Sequence, residues 1–324
     1  MDEINIMTSC DENLLRYVTI QLQSIADVMK DKRIRFYLFH GGIDPDKLDK
    51  LRKQCDEYEN INFFDVAVKD EDDYAQLARY GGGWASAAYY PLCAHQYLPN
   101  DMDRIMYIDA GDTFFMNQPL DYYYTDFEDN ALTVTIARFK IVNGGLLMYA
   151  ENDIGTRNMI PDIARGLFNS GSYVINLEKM RELKYTTKDY IALAESLVRI
   201  KGDANNAYFG DQGILSIAFC GQLKGYNYPD VKDLWFMPNN FCLWYFDRIK
   251  EKPSYNPSVV HFAGAEKPWN MIYPIELDLL SNVKKERKVD MKTLLTGQAE
   301  YYYLWHEYAI KTERLLSEIG VAWD

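Results

Sequence analysis

Two aspartates follow a run of β-forming residues near the middle of the chain. Asp109 and Asp112 come directly after Arg104–Ile108, with the small residues Ala110 and Gly111 between them. Open α/β folds bind ligands at the carboxyl ends of their strands, so this pattern predicts carboxylates at such an edge. Neighbouring carboxylates repel unless a cation binds both, and hard divalent cations prefer oxygen ligands. The pair indicates a cation that clamps a diphosphate, while an acidic turn after a strand is the simpler alternative.

A second polar group follows the predicted strand at 259–260. His261 can supply a neutral imidazole to a metal. Gly264 permits close approach of the backbone to a phosphate, and Lys267 offers a point charge for it. One histidine at a strand end is more often structural than a ligand. The arrangement His-x-x-Gly-x-x-Lys-Pro-Trp is much harder to explain by packing.

Three further polar sites precede or follow predicted strands and helices. Asp11 and Asn13 lie after the first strand, where they can reach a nucleoside or simply cap the next helix. Asn169 precedes a strand and either contacts sugar hydroxyls or forms a turn. Asp211 and Gln212 open an apolar run, so they can bind substrate at a helix N-terminus or only cap that helix.

Strand and helix patterns alternate in the first half of the chain, which positions these groups. The predicted strands are 4–10, 34–40, 61–66 and 104–109, and the predicted helices are 14–29, 44–55 and 85–98. The second half is mixed, with strands expected at 173–176 and 259–262 and helices at 211–219 and 300–319. The alternation predicts an α/β fold with a mainly parallel sheet flanked by helices.

Composition narrows the class of protein. The chain has 324 residues, enough for one large or two modest domains, and its net charge of −13 argues against broad nucleic-acid binding. Its five scattered cysteines indicate reduced thiols. No signal peptide or stretch approaching a membrane span is evident in the sequence. We therefore expect a soluble cytoplasmic protein.

The order of these motifs resembles glycosyltransferase family 8, retaining transferases of the GT-A fold that include bacterial galactosyl- and glucosyltransferases of cell-surface glycans. The resemblance covers roughly residues 4–270. It implies a Rossmann-like GT-A catalytic domain, which we assign to 1–280, followed by a helical extension at 281–324. It also implies transfer of a hexose, galactose or glucose, from a UDP-sugar to a hydroxyl of a glycan, glycolipid or glycoprotein. Lipopolysaccharide or capsule synthesis would be the setting.

The resemblance also implies roles for the donor-binding residues. Asp11 and Asn13 match positions that contact the uracil and ribose of the UDP-sugar. Asn169 matches a contact to the donor sugar, and Gly264 and Lys267 match contacts to the diphosphate.

The metal and reaction centre follow from the same resemblance. Asp109, Asp112 and His261 would bind Mn²⁺ or Mg²⁺, and Asp211 and Gln212 would lie beside the anomeric carbon. The amide oxygen of a glutamine is a poor nucleophile. The resemblance therefore favours attack by the acceptor on the face that UDP leaves, over a covalent intermediate.

Two motifs depart from the family pattern. The acid motif is one residue longer than the usual Asp-x-Asp, and Gly111 permits a bulge that would restore the geometry. The usual Tyr-x-Arg-Leu is replaced by Tyr89-Tyr90-Pro91-Leu92, so its arginine is missing and Pro91 disturbs the helix.

Two other functions remain open from the sequence. A non-catalytic sugar-nucleotide binding protein would explain both departures. A HAD-type phosphohydrolase would share an Asp-rich strand end with the 109–113 segment, but its later lysine and acidic pair are not evident. Acceptor specificity is expected in the segments 139–165 and 222–257.

The aromatic C-terminal helix has three interpretations. It packs on the catalytic domain, forms a homo-oligomer, or makes peripheral contact with the inner face of a membrane. A membrane-surface helix should be distinctly basic. From Ser281 onward the chain contains seven Lys/Arg and seven Asp/Glu, so it is not basic, and packing or self-association is favoured.

Overall fold

The computed structural model describes residues 2–136, 168–219, 222–225, 239–243, 257–264, 267–270 and 299–323. The strands are β1 Glu3–Ser9, β2 Arg33–His40, β3 Ile61–Ala67, β4 Arg104–Ile108, β5 Thr113–Phe115, β6 Leu132–Ile136, β7 Phe168–Asn176, β8 Leu223–Gly225, β9 Phe241–Cys242 and β10 Val259–His261. The helices are α1 Leu15–Val28, α2 Pro45–Asp56, α3 Glu71–Tyr80, α4 Leu120–Tyr123, α5 Leu177–Leu183, α6 Thr187–Lys201, α7 Gly210–Ala218 and α8 Ala299–Glu318.

Seven strands form the main sheet, in the order β3-β2-β1-β4-β7-β6-β8. The pairs β1–β2, β2–β3, β1–β4 and β6–β8 are parallel, and β7 is antiparallel to both β4 and β6. The sheet is therefore mixed but mainly parallel, as predicted. Because β1 and β4 are parallel neighbours, the segments that follow them emerge at one edge.

A second, three-stranded sheet lies in the order β5-β10-β9. Its strand β5 begins directly after the acidic turn that follows β4, and β10 pairs with it antiparallel, setting His261 opposite Thr113. The small sheet therefore brings a residue from late in the chain to the carboxyl end of β4.

Apolar residues fill both faces of the main sheet. Helices α1 and α2 cover one face, where Leu22, Ile25 and Leu51 are fully buried. The other face packs on α3, α6 and α7, with Leu197 and Ile214 fully buried. This two-sided burial matches a sheet whose strands read as near-continuous apolar runs.

The predicted helix at 85–98 forms as a 3-10 helix, Ser86–Gln96, that is broken at Cys93. Pro91 lies inside it and cannot donate the backbone hydrogen bond that an α-helix requires. Helix α3 was not predicted, because its first turn holds three consecutive acids that obscure the apolar spacing of Tyr74 and Leu77.

Helix α8 packs on α1 and on the small sheet. Tyr301, Tyr302 and Trp305 are buried in one cluster with Ile20 of α1 and Phe114 of β5. Of the three interpretations, the structure shows packing. The proposed boundary at 280/281 lies outside the described residues.

No helix in the described ranges is both long enough and apolar enough to cross a membrane.

Replacing Trp305 by alanine should lower the free energy of unfolding by about 3–5 kcal/mol, because a large ring is lost from a packed cluster. Urea denaturation measures this. On the same helix Ile310 is 43% exposed, so Ile310→Ala should change stability by no more than about 0.5 kcal/mol. Equal losses in both variants would contradict the packing of α8.

Candidate active site

The structure brings Asp109, Asp112 and His261 together. One ligand atom from each lies within 4.8 Å of the others. The Nε2 atom of His261 is 3.4 Å from Asp109 Oδ2 and 3.8 Å from Asp112 Oδ2. Two carboxylates and an imidazole thus converge on one point, although Asp112 and His261 are 149 positions apart in the chain.

The turn between the two aspartates is held by hydrogen bonds around Asp109. Gln21 Nε2 and Thr113 Oγ1 donate to its carbonyl oxygen at 2.8 and 2.7 Å. Tyr107 donates its hydroxyl to Asp109 Oδ1 at 2.9 Å. Gly111 has φ +74°, a left-handed conformation that favours glycine. The extra residue in the acid motif thus lies in a turn that includes Gly111 in this left-handed conformation.

His261 is positioned by the small sheet and by a close approach to β7. The backbone amide of Phe262 donates to the carbonyl oxygen of Asp112 at 2.8 Å. A Cβ placed on Gly171 would lie 2.2 Å from the His261 ring. Position 171 must therefore be glycine for the imidazole to reach the aspartates.

Charges in the cluster shift one another's proton affinity. Burial and the negative charge of Asp112 raise the pKa of Asp109 to about 7. Burial alone would raise the pKa of Asp112, but His261 and Lys267 outweigh it and hold that pKa low. Burial would lower the pKa of His261, yet the charge of Asp112 raises it well above its usual range. The raised pKa of Asp109 indicates that His261 and Lys267 do not supply enough positive charge to stabilise both carboxylates.

Lys267 lies beside the cluster. Its ammonium contacts Asp112 Oδ2 and donates to the carbonyl oxygen of Phe262 at 2.9 Å. Gly264, three residues earlier, is exposed and has φ +98°. Both residues predicted to bind a diphosphate therefore follow β10, and Lys267 contacts one of the acids.

The predicted sugar-side residues also adjoin this centre. Asn169 Nδ2 donates to Gln212 Oε1 at 3.2 Å, and Asn169 Oδ1 lies 3.1 Å from His261 Nδ1. Asp211 is buried, which raises its pKa to about 6 despite a hydrogen bond with Ser170. Asp211 and Gln212 both lie in the first turn of α7.

Asp11 and Asn13 follow β1 at the same edge of the sheet. Asp11 Oδ1 accepts a hydrogen bond from the backbone amide of Asn13 at 2.9 Å and caps the short 3-10 helix Glu12–Leu14. Both side chains are exposed. The capping alternative thus holds in this structure, and the exposed side chains remain accessible to a ligand.

The segment that lacks the family arginine is tied into the core. Tyr89 and Tyr90 are buried, and the Tyr90 hydroxyl donates to Glu71 at 2.6 Å. Pro91 is buried as well.

Sequence reasoning missed several residues of the site. Asn240 and Cys242 reach the far side of the His261 ring, and Gln21 holds the acid turn. Trp84 is 49% exposed and packs edge-on against Phe209 with 5.5 Å between ring centroids. Gln21 is one of several polar residues in the amphipathic helix 14–29, so no signal in the sequence singled it out. Asn240 could have been noticed as a polar residue directly before the β-formers Phe241-Cys242.

The residues present fit a hard divalent cation. Two carboxylates and an imidazole are the oxygen and nitrogen donors that Mn²⁺ and Mg²⁺ accept. Asp112 Oδ1 is buried and has no hydrogen-bond partner in the described part of the chain. An unpaired buried carboxylate oxygen is costly, so a cation would satisfy it.

Gly111→Ala should destabilise the protein and weaken Mn²⁺ binding, because the new Cβ would meet Tyr17 Cβ at 2.6 Å and the left-handed φ costs roughly 1–2 kcal/mol. Denaturation and calorimetric titration with Mn²⁺ measure the two effects. Gly202 is a matched control, with φ +73° and nothing within 4 Å of an added methyl group. Gly202→Ala should lose only the roughly 1–2 kcal/mol of stability that the left-handed φ costs, and should bind Mn²⁺ as tightly as the unmodified protein. Equal Mn²⁺ affinity in Gly111→Ala and Gly202→Ala would contradict the role of the Gly111 turn in positioning Asp109 and Asp112 for the metal.

Sequence comparison finds known relatives across most of the chain. Residues 5–273 match the family described as "Glycosyl transferase family 8". Lipopolysaccharide 1,2-glucosyltransferase of Escherichia coli is 21% identical over 280 residues, covering 83% of this chain and 74% of the relative. General stress protein A of Bacillus subtilis is 24% identical, covering 83% and 88%.

Solved structures share the fold. The galactosyltransferase LgtC, crystallised with donor and acceptor sugar analogues, superposes with a TM-score of 0.63 at 19% identity, covering 95% of this chain and 96% of that one. Glycosyltransferase GlyE of Streptococcus pneumoniae gives a TM-score of 0.59 at 17% identity, covering 97% of this chain and 63% of that one. The observed sheet is thus a GT-A fold.

The family match spans most of the chain, from the first strand to the loop that carries Lys267. It displaces the phosphohydrolase and the non-catalytic binding protein as interpretations. The chain belongs to glycosyl transferase family 8 and is a glycosyltransferase of the GT-A fold.

Proposed function

We propose that this protein transfers a hexose from a UDP-sugar to a hydroxyl acceptor, with retention of anomeric configuration and with a divalent metal, Mn²⁺ or Mg²⁺. The observation that carries the proposal is the convergence of Asp109, Asp112 and His261 within 4.8 Å, beside the ammonium of Lys267. The convergence lies in the catalytic domain that we assign to residues 1–280.

Metal and diphosphate would share this centre. Asp109, Asp112 and His261 would hold the metal, which when bound supplies positive charge against the diphosphate. Lys267 adds a second positive charge, and Gly264 lets the backbone approach the phosphate oxygens. Charge that develops on the departing UDP would thus meet a preorganised positive site. Asp11 and Asn13 would contact the uracil and ribose at the same sheet edge.

The sugar would lie between this centre and the N-terminus of α7. Asn169 and Gln212 already contact each other there, and Asp211 is buried next to them. The bond from the anomeric carbon to the UDP oxygen breaks, and the acceptor oxygen bonds to the same face. The acceptor proton passes to the departing diphosphate. A glutamine amide oxygen is too weak a nucleophile to favour a covalent intermediate.

The relatives guide the choice of sugar and acceptor. One relative is named a lipopolysaccharide glucosyltransferase, and the similar structure LgtC is a galactosyltransferase. We propose galactose or glucose as the sugar and a bacterial surface glycan as the acceptor, with glycolipid and glycoprotein as the other acceptor classes. We place the reaction in the cytoplasm, with an acceptor presented at the inner membrane face. The acceptor segments expected at 139–165 and 222–257 lie largely outside the described residues.

The deciding experiment measures UDP release from a panel of UDP-sugars with water as acceptor, with and without Mn²⁺. We expect release from one donor only, and only with metal. Asp109→Asn and His261→Gln should abolish the metal-dependent release while circular dichroism remains unchanged, because each removes a ligand. Metal-independent release, or full activity in either variant, would overturn the metal assignment.

Trp84 offers a test on the acceptor side. Its exposed ring lies against Gly210, next to the Asp211–Gln212 pair, and such a ring can stack on a sugar. Trp84→Ala should raise the KM for acceptor roughly 3- to 10-fold, with UDP release to water unchanged. Tyr124 is a similarly exposed aromatic residue, at 47%. It adjoins Tyr123, whose carbonyl oxygen accepts a hydrogen bond from Arg104 at the start of β4, whereas the acids follow the end of that strand. Tyr124→Ala is therefore a matched control and should change neither the KM nor the UDP release. An unaltered KM for acceptor in Trp84→Ala would contradict a contact between Trp84 and the acceptor.

A further inference from the structure

The far side of the His261 ring meets two amide oxygens. Nδ1 of His261 lies 3.1 Å from Asn240 Oδ1 and 3.1 Å from Asn169 Oδ1. The sulfur of Cys242 is 3.6 Å from the same nitrogen. Asn240 is fully buried, and strand β9 after it pairs with β10 so that Cys242 faces His261. Nothing in the family motifs accounts for Asn240.

The orientations of both amides are fixed by their other partners. Asn240 Nδ2 donates to the backbone carbonyl of Asn169 at 2.8 Å, and a flipped amide would set two acceptors against each other. Asn169 Oδ1 accepts from the backbone amide of Gly171 at 3.0 Å, so it cannot flip either. Both oxygens must therefore face the imidazole.

These orientations determine which nitrogen of His261 carries a proton. Two oxygens that only accept hydrogen bonds require a hydrogen on Nδ1. The lone pair of the neutral ring is then on Nε2, which faces Asp109 and Asp112. A histidine that binds metal commonly has its tautomer fixed in this way by a partner on its other nitrogen.

The same network reaches Gln212. Because Asn169 Oδ1 faces the histidine, Asn169 Nδ2 is left to donate to Gln212 Oε1 at 3.2 Å. This contact engages the oxygen of Gln212 and leaves its amide nitrogen as the group that can donate to the sugar or to the departing oxygen. One chain of amides thus links the proposed metal ligand His261 to the residue proposed to lie beside the anomeric carbon.

We propose that Asn240 is a positioning residue that fixes the Nδ1–H tautomer of His261 and, through Asn169, turns the Gln212 amide nitrogen toward the donor sugar. The inference rests on the proposed function, since it requires His261 to bind the metal. Asn240 would act through other side chains and need not touch the substrate.

The first test is calorimetric titration with Mn²⁺. Asn240→Ala should weaken Mn²⁺ binding about 10- to 100-fold, the usual loss when the partner of a metal-binding histidine is removed. Asn239 is an equally buried neighbour whose amide has no hydrogen-bond partner among the described residues. Asn239→Ala is therefore the control and should retain the affinity of the unmodified protein.

A second variant separates the two parts of the network. Asn240→Asp keeps an oxygen for Nδ1–H but loses the donor to Asn169. Its Mn²⁺ affinity should equal or exceed that of the unmodified protein. The second carboxylate oxygen would face the two Asn169 oxygens that Asn240 Nδ2 now binds at 2.8 and 2.9 Å, so it would displace Asn169 and with it Gln212, and kcat for UDP release should fall ~10- to 100-fold. KM for the UDP-sugar should change less than kcat.

The outcomes distinguish this inference from the proposed function. No Mn²⁺ binding by the unmodified protein would overturn the metal site, and the inference with it. Binding by the unmodified protein with equal affinity in Asn240→Ala and Asn239→Ala would overturn the inference alone. If Asn240→Ala does not fold, a folded Asn240→Asp decides: weakened Mn²⁺ binding, or an unaltered kcat, would contradict the role of Asn240.

Discussion

Repulsion between two carboxylates at the end of β4 is the constraint on which the rest of the site depends. Asp109 and Asp112 are held together by a glycine turn and by hydrogen bonds to Gln21 and Thr113. The imidazole of His261 and the ammonium of Lys267 offset only part of their charge, and a buried oxygen of Asp112 is still unpaired among the described residues. A bound cation would relieve that deficit, so a geometry that is costly in the free protein would suit the diphosphate donor that we propose.

The small sheet brings the two positively charged side chains to the aspartates. Strand β5 starts where the acid turn ends, and β10 pairs with it so that His261 and the Lys267 loop face the aspartates. Strand β9 and the residue before it then place Cys242 and Asn240 behind the imidazole. Helix α8 packs its aromatic face on this sheet, so the strand that carries His261 is itself covered.

The alternation of strands and helices could be predicted because apolar spacing and capping residues are local signals. Asp44 caps α2 with Pro45 at its first position, as the sequence indicated. The 3-10 helix 86–96 and helix α3 were not predicted correctly, since Pro91 and three consecutive acids conflict with the surrounding apolar pattern. Asp11 shows the opposite case, in which a residue predicted by resemblance to bind a nucleoside also makes the local cap that its position favours.

The sequence by itself determined the α/β class, the family and the chemical types of the metal-binding candidates, because these depend on residue identity and short spacing. Only the tertiary structure decided that Gly111 closes the longer acid motif, that Gly171 makes room for the imidazole, and that Asn240 binds behind it. Asn240 and Asn169 lie 71 residues apart, and Asn169 and His261 lie 92 apart. Contacts over such separations are set by which strands pair and in which register, and no local pattern in the chain specifies that pairing.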